Sequence, residues 1–182
     1  MSGSDGSFDF YDAHYRRFGT ELAATMRREI YGEDLGQTGW RSAAEQLEIA
    51  DLLELGPGRR LLDIGCGSGG PSLALVERTG CAVTALDIEP AAIAHAQSVA
   101  SSARGLAARA TFLARDCGGR LPFHDGAFEA VLCVDAINHL PDRQGTLAEW
   151  ARLLRPGGRP RSPRVARRGR SPGPTGRRSR AC

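Results

Sequence analysis

The residues best suited to chemistry form a glycine loop with an aspartate in front of it. The segment DIGCGSGG runs from Asp63 to Gly70 and overlaps the short strand-like run RLLDI, so that together they predict a strand that ends in a loop. Glycines at 65, 67 and 69 let the backbone turn sharply and approach a ligand closely, with a helix N-terminus beyond them. From Gly65 onward the loop also fits the GxGxxG pattern of dinucleotide sites. A tight strand–helix turn without any ligand would explain the same glycines.

Asp63 separates two kinds of ligand for this loop. A dinucleotide would place its pyrophosphate here, and a neighbouring carboxylate would repel that group. A ligand that carries an ammonium or sulfonium cation would instead be attracted. Asp63 could also serve the protein alone, as an acceptor for backbone N–H groups of the loop.

Two more aspartates follow later predicted strands. Asp87 comes after the run AVTAL, 22 residues beyond Gly65. A carboxylate there can accept hydrogen bonds from both hydroxyls of a ribose, which fits any adenosine ligand. Asp116 follows the third strand, with Cys117 beside it, and could accept from an adenine amino group. A strand-end aspartate can also simply cap a turn.

Alternating helical and strand patterns would position these side chains. Ser42 and Glu45 fit a capping box at the start of one helix, and Pro71 can occupy the first turn of the next. Repeated strand–helix–strand units predict a parallel sheet covered by helices. The predicted helices are 21–31, 43–53, 71–79, 90–103 and 142–154, and the predicted strands are 60–64, 82–86, 110–114 and 128–134.

The composition suits one domain with its own core. The chain has 182 residues, of which 41% are hydrophobic and 25% charged. No apolar run approaches the ~20 residues of a membrane span, and the N-terminus lacks the apolar core of a secretory signal, so we expect a cytoplasmic protein. The cysteines are odd in number and show no CxxC, which argues against a disulfide scaffold and a metal site. They are Cys66, Cys81, Cys117, Cys133 and Cys182.

The net charge of +3 hides two unlike parts of the chain. All 24 basic residues are arginines; residues 1–150 hold 13 of them against all 21 acids, and residues 151–182 hold the other 11. Residues 159–182 consist mostly of Arg, Pro, Gly and Ser, a composition that predicts disorder. Three interpretations remain: an arginine-rich tail that binds nucleic acid, a natural disordered extension, or an out-of-frame or truncated end. The absence of lysine suggests GC-rich coding, and GC-rich triplets read out of frame give mainly these residues, which favours the third interpretation.

Five separated segments together resemble the class I S-adenosylmethionine-dependent methyltransferases. They are DIGCGSGG, LDIEP, ARDCGGRLPF, FEAVLCVDAINHL and LLRPGG, and they span about residues 58–158. The resemblance implies an α/β fold, a Rossmann-like three-layer sandwich around a parallel sheet. It also implies S-adenosylmethionine as cofactor and a small-molecule methyl acceptor.

The resemblance implies a role for each motif residue. Asp63 and the glycine loop hold the methionine part of the cofactor, and Asp87 holds the ribose. Ile88 lies against the adenine, and Asp116 accepts from its amino group beside Cys117. The loop residues implied are Gly65, Cys66, Gly67 and Gly69.

Two shorter segments suggest a lid and a catalytic group. YGEDLGQTGW, at 31–40, resembles the lid region of small-molecule members, and DAINHL, at 135–140, is similar to a motif of phosphoethanolamine-type N-methyltransferases. His139 and Asp135 are therefore the candidate catalytic residues, with His139 as general base or as the group that orients the acceptor. His139 could instead merely pack at the strand–helix junction.

These observations divide the chain into an N-terminal arm and lid (1–40), a methyltransferase core (41–158) and a tail (159–182). Members of the family continue after LLRPGG with a fifth strand and a C-terminal strand pair, so we expect a sheet that lacks its C-terminal strands and exposes its fourth strand. Two other functions remain open. One is a nicotinamide-dependent oxidoreductase that uses the same loop. The other is a non-catalytic chain, which is either a frameshifted remnant or a nucleic-acid-binding module that uses its tail.

Overall fold

Strands and helices alternate along the residues that the computed structural model describes, which are 20–37, 41–103 and 105–161. The helices are α1 (Glu21–Tyr31), α2 (Ala43–Leu52), α3 (Gly70–Thr79), α4 (Pro90–Ser102) and α5 (Arg143–Leu153), with a 3-10 helix at Ile137–His139. The strands are β1 (Arg60–Ile64), β2 (Ala82–Asp87), β3 (Ala110–Ala114), β4 (Phe128–Cys133) and β5 (Leu154–Arg161).

The five described strands form one parallel sheet in the order β3-β2-β1-β4-β5. The chain builds outward from β1 through β2 to β3, and then crosses to the other side of β1 for β4 and β5. The strand order therefore reverses between β1 and β4. In open α/β sheets, ligands bind outside the carboxyl ends of the strands at this switch point.

Helices cover both faces of the sheet, because successive strand residues point to opposite sides. Leu61 packs in a core with residues of α2, α3 and α4. Its neighbours Leu62 and Ile64 pack in a second core with Trp150 and Leu153 of α5. The predicted three-layer α/β sandwich with a parallel sheet is confirmed.

Local signals in the sequence set the helix starts as predicted. Ser42 Oγ accepts from the Glu45 N–H at 3.3 Å, and Glu45 Oε2 accepts from the Ser42 N–H at 2.8 Å, so the capping box is complete. Pro90 occupies the first turn of α4, where its missing N–H costs nothing. Among the described residues, no helix combines the length and apolarity that crossing a bilayer requires.

The expectation that β4 would be an exposed edge is wrong, because β5 pairs with it from Leu154 to Arg161. The proline–glycine stretch is accommodated by a shift of register. Phe128 pairs with Leu154 but Ala130 pairs with Arg159, so residues 155–158 bulge and make no regular ladder. An edge strand also forms ladder hydrogen bonds on one side only, so it tolerates proline, which lacks an N–H group. Residues 162–182 lie outside the described part of the chain.

A buried carboxylate ties β5 to the rest of the sheet. Glu129 of β4 accepts from Arg60 of β1 at 3.1 Å and from Arg155 of β5 at 3.0 Å. Because the Glu129 side chain is largely buried, these ion pairs are better shielded from water than surface pairs are. One carboxylate thus bridges three neighbouring strands.

Candidate ligand-binding site

The glycine loop folds back against the end of β2. The N–H groups of Gly65 and Cys66 both donate to the Leu86 carbonyl, at 2.8 and 3.0 Å, and the Gly69 N–H donates to the Cys66 carbonyl at 3.1 Å. Gly65, Gly67 and Gly69 all have positive φ, a conformation that other residues adopt only with strain. The loop is therefore a fixed structure placed directly at the switch point.

Two of these glycines also meet neighbours too closely for any side chain. A Cβ at Gly65 would overlap the methyl group of Ala136, which follows β4. A Cβ at Gly69 would lie 2.6 Å from both the Ala96 methyl group and a ring carbon of Phe112. The loop consequently contacts the segment after β4 on one side and the core beneath α4 on the other.

Asp87 joins β2 to the glycine loop. Its Oδ2 accepts from the Gly67 N–H at 2.7 Å, and its Oδ1 accepts from the Glu89 N–H at 3.0 Å. A carboxylate oxygen can accept more than one hydrogen bond, so both oxygens keep capacity for a ligand. The carboxylate is only partly buried. Asp87 therefore fixes the loop and can still bind ligand hydroxyls.

Asp63 is a buried carboxylate beneath the same loop. Ser72 Oγ, in the first turn of α3, donates to its Oδ2 at 2.5 Å. Burial raises the pKa of Asp63, and the neighbouring charge of Asp87 adds to this, whereas Arg41 and the hydrogen bond from Ser72 lower it. A buried carboxylate under this penalty is stabilised by any cation that reaches it.

The remaining residues predicted for an adenosine part lie beyond Asp87 along the same edge. Ile88 is 53% exposed, so an apolar side chain lies open beside the site. Asp116 is exposed, and its Oδ1 accepts from the Gly118 N–H at 2.8 Å. This contact is the turn cap that the sequence analysis gave as the alternative role of Asp116. Cys117 is buried, and burial raises its thiol pKa to about 12, so it is a neutral packing group at neutral pH.

The structure places Asp135 and His139 after β4, on the other side of the loop. Both are exposed, and Asp135 has a φ of +59°, which is uncommon for a residue other than glycine. His139 belongs to the 3-10 helix, where its backbone N–H donates to the Ala136 carbonyl at 3.0 Å. In the described part of the chain, no hydrogen bond joins the His139 ring to the glycine loop. Their catalytic roles stay predictions.

Residues 32–37, which we call the lid segment, are fastened by two ion pairs. Asp34 pairs with Arg27 of α1 at 2.6 Å, and Glu33 pairs with Arg78 of α3 at 2.7 Å. Gln37 is buried and donates to the Glu33 carbonyl at 2.9 Å, which holds the segment in a compact turn. Residues 38–40 of the predicted lid lie outside the described residues.

The lid segment lies directly over the start of α3. Ser68 of the glycine loop donates to the Gly36 carbonyl. A Cβ at Gly70 would overlap the carbonyl oxygen of Leu35, so the backbone of the lid segment touches the backbone of the helix. The N-terminus of α3 therefore faces the protein's own carbonyl groups.

Arg41 is a residue of the site that the sequence did not indicate. It precedes the cap of α2, and Gln46 Nε2 anchors that helix to the Pro71 carbonyl at the start of α3, at 2.8 Å. The charges of Asp63 and Asp135 act on the guanidinium. Its Nη1 is buried and has no hydrogen-bond partner among the described residues. An arginine before a capping serine is not a motif, so only the fold could identify it.

The described residues contain neither a cluster of metal ligands nor a disulfide bond. They contain no group of three or more His, Cys, Asp or Glu side chains placed to bind a metal ion. The four described cysteines are buried and free, and Cys182 lies outside this part of the chain.

Known proteins resemble the chain across this site. The methyltransferase domain family matches residues 61–158. The 27-O-demethylrifamycin SV methyltransferase of Amycolatopsis mediterranei is 32% identical over 150 residues, which cover 78% of this chain and 54% of that protein. The chain thus spans about half the length of this relative.

Two solved structures share the fold. An S-adenosylmethionine-dependent methyltransferase from Geobacter sulfurreducens, in complex with S-adenosyl-L-homocysteine, is 30% identical with a TM-score of 0.55, over 64% of this chain and 46% of that one. The [4+2]-cyclase SpnF is 26% identical with a TM-score of 0.62, over 84% and 57% of the two chains. Since the family match covers more than half of the sequence, the chain belongs to the methyltransferase domain family.

Proposed function

We propose that this chain binds S-adenosylmethionine at the switch point, and that the whole protein transfers its methyl group to a small-molecule acceptor. Asp63 and the glycine loop would hold the methionine part, and Asp87 the ribose. The adenine would lie along Ile88, with its amino group toward Asp116.

The observation that carries this proposal is the hydrogen bond from the Gly67 N–H to Asp87. A dinucleotide site leaves the loop N–H groups free for a pyrophosphate at the helix N-terminus. Here the N–H groups of Gly65, Cys66, Gly67 and Gly69 all donate to acceptors within the protein. The acceptor at Gly67 is itself a carboxylate, which would repel a pyrophosphate. The oxidoreductase alternative is therefore disfavoured.

The charge of the site supports a cationic ligand. Asp63, Asp87, Asp116 and Asp135 all lie within two residues of the carboxyl end of a strand, at the same edge of the sheet. Four carboxylates at one edge attract cations and repel anions. The ligand proposed here carries an ammonium and a sulfonium group.

The chain's own contribution would be alignment and exclusion of water. S-adenosylmethionine supplies an electrophilic methyl group, which an acceptor displaces in line. Proximity and orientation account for much of the acceleration of such a step. The lid segment covers the loop and would keep water from it. We propose His139 as the group that orients the acceptor or removes its proton, and Asp135 as a second candidate catalytic residue.

The relatives support a small molecule as the acceptor, since the rifamycin enzyme is named for one. The acceptor atom stays open. SpnF is named for a cyclisation, so a shared fold alone does not establish methyl transfer, and the reaction requires its own test. The cytoplasmic location, and a role for nucleic acid limited to the tail, stay predictions from the sequence.

Isothermal titration of the full chain with S-adenosylmethionine and with NAD tests the proposal. We expect saturable one-site binding of S-adenosylmethionine and none of NAD at the same concentrations. The reason is the acidic edge, which favours a sulfonium ligand over a pyrophosphate. Tight binding of NAD with no response to S-adenosylmethionine would contradict the assignment. Transfer of a labelled methyl group to a panel of small molecules would then test the reaction itself.

A further inference from the structure

The lid segment runs along the whole length of α3 and not only over its start. In the last turn of the helix, Arg78 Nη2 donates to both carboxylate oxygens of Glu33, at 2.9 and 2.7 Å. At the opposite end, the carbonyl oxygen of Leu35 lies against the backbone of Gly70 in the first turn. The lid segment is therefore antiparallel to α3, and it reaches the glycine loop at its far end.

The lid segment lies between solvent and the carboxylate proposed to hold the methionine part of the ligand. Asp63 is only 4% exposed, and Ser68 of the glycine loop is also buried, with its hydroxyl donating to the Gly36 carbonyl. A ligand group cannot reach a carboxylate that the protein itself covers, so an element has to move before the ligand enters. Because the lid segment lies over the loop, its movement would uncover the site.

A glycine stands on each side of the ion-paired residues of the lid segment. Gly32 ends α1 with a φ of +80°, and Gly36 has a φ of +64°. A Cβ at Gly32 would meet no atom within 4 Å, so the backbone is not packed at this point. Hinges consist of a few such positions, which absorb backbone rotation while the elements beside them stay rigid. Residues 33–35 can therefore swing away from α3 without disturbing either helix.

Two ion pairs of unequal burial hold the lid segment closed. Asp34 accepts from Arg27 of α1 at 2.6 and 3.2 Å, and the two side chains are only 18% and 13% exposed. Glu33 and Arg78 are more open to water, at 49% and 28%. Because water weakens exposed ion pairs, the Arg27–Asp34 pair is the main fastening and the Glu33–Arg78 pair the weaker one.

We propose that the lid segment is a gate for cofactor exchange, which opens about Gly32 and Gly36 when its two ion pairs separate. This inference rests on the proposed function, because the gate controls entry to and departure from the same site. The lid residues that form the ion pairs are assigned no contact with the cofactor. Their pairing therefore sets how fast the ligand enters and leaves, and not how tightly it is held.

The rate constants of ligand exchange distinguish a gate from a ligand contact. Surface plasmon resonance of the full chain with S-adenosylhomocysteine measures both the association and the dissociation rate constant. In Asp34→Asn we expect both to rise about tenfold, the effect of weakening one hydrogen bond between charged groups. The dissociation constant should stay nearly unchanged, because the closed state still predominates and a larger open fraction multiplies both rates equally.

The exposed ion pair supplies variants that keep the fold. Glu33→Gln should raise both rate constants by about two- to fivefold, the effect of losing an exposed pair. Glu33→Arg should exchange the ligand faster still, because it places two positive charges together, and adding Arg78→Glu should return both rates toward those of the unmodified chain. As the matched control, Glu21→Gln removes the pair with Arg28 at 2.7 Å on α1, outside the lid segment, and should change neither rate.

Three results would overturn the gate. One is a faster dissociation alone, with the affinity weakened by the same factor, since the lid segment would then hold the ligand directly. Another is unchanged rate constants in Asp34→Asn. If that variant does not fold, the third is the absence of any rescue by the exchange of charges between Glu33 and Arg78. The proposed function survives each of these results, because the ligand still binds. Failure of the unmodified chain to bind S-adenosylhomocysteine would instead contradict the proposed function, and the gate with it.

Discussion

Replacing Asp87 with alanine is expected to weaken S-adenosylmethionine binding by at least tenfold. The side chain is proposed to accept from both ribose hydroxyls, and hydrogen bonds to a charged group contribute about 1.5–3 kcal/mol each. The same change removes the acceptor of the Gly67 N–H, so the loop also loses a brace at 2.7 Å. Titration calorimetry measures the affinity, and thermal unfolding checks that the variant still folds.

Two further variants separate binding from bracing at Asp87. Asp87→Asn keeps one oxygen that can accept from the Gly67 N–H but removes the charge, so its affinity should fall between those of Asp87→Ala and the unmodified chain. Asp51→Ala removes an exposed aspartate of α2, remote from the loop, and should change nothing. An unchanged dissociation constant in Asp87→Ala would place the ribose elsewhere.

Gly69→Ala is expected to destabilise the fold by about 2–5 kcal/mol. An L-residue in the left-handed region costs about 1–2 kcal/mol, and Gly69 has a φ of +75°. The new methyl group would also lie 2.6 Å from Ala96 and Phe112, and overpacking of a core costs about 1–3 kcal/mol. Urea unfolding measures the free-energy difference.

Gly58→Ala is the matched control for this change. Gly58 has a similar φ of +80°, but a Cβ there would meet no atom within 4 Å. It should therefore show the cost of backbone strain alone, about 1–2 kcal/mol. If Gly58→Ala and Gly69→Ala were equally destabilised, the close packing around Gly69 would not be real.

The sequence predicted those elements whose signals are local. Helix α1 and strands β1 and β3 have the predicted bounds, and β2 and β4 differ by one residue at their ends. Capping residues and periodic apolar positions act within a few residues, so they can be recognised without knowledge of the fold. The parallel sheet followed from the alternation of strands and helices.

Strand β5 could not be predicted from its own residues. LRPGGRPR has the composition of a loop. It pairs with β4 because the free edge of that strand accepts a partner with an irregular register. The formation of this strand depends on tertiary context, which overrides weak β-propensity. The expectation of a missing fifth strand was wrong because a stretch rich in proline and glycine can still pair at the edge of a sheet, where proline is tolerated.

The sequence predicted the aspartates of the candidate site that lie near strand ends. It did not predict Arg41, which belongs to no motif. The spacing of Asp63 and Asp87 predicted two carboxylates at one sheet edge, because parallel strands end together. It could not predict that Asp87 would hold the Gly67 N–H, since that contact depends on the path of the loop. Arg41 reaches the site only through the packing of α2 on α3.

A structure of the chain bound to S-adenosylhomocysteine tests the central claim most directly. Both ribose hydroxyls are expected within about 2.5–3.0 Å of the Asp87 carboxylate, with the amino group of the ligand beside Asp63. The adenine is expected to lie against Ile88. A nucleoside bound away from the carboxyl ends of β1 and β2, or one whose ribose does not meet Asp87, would contradict the account.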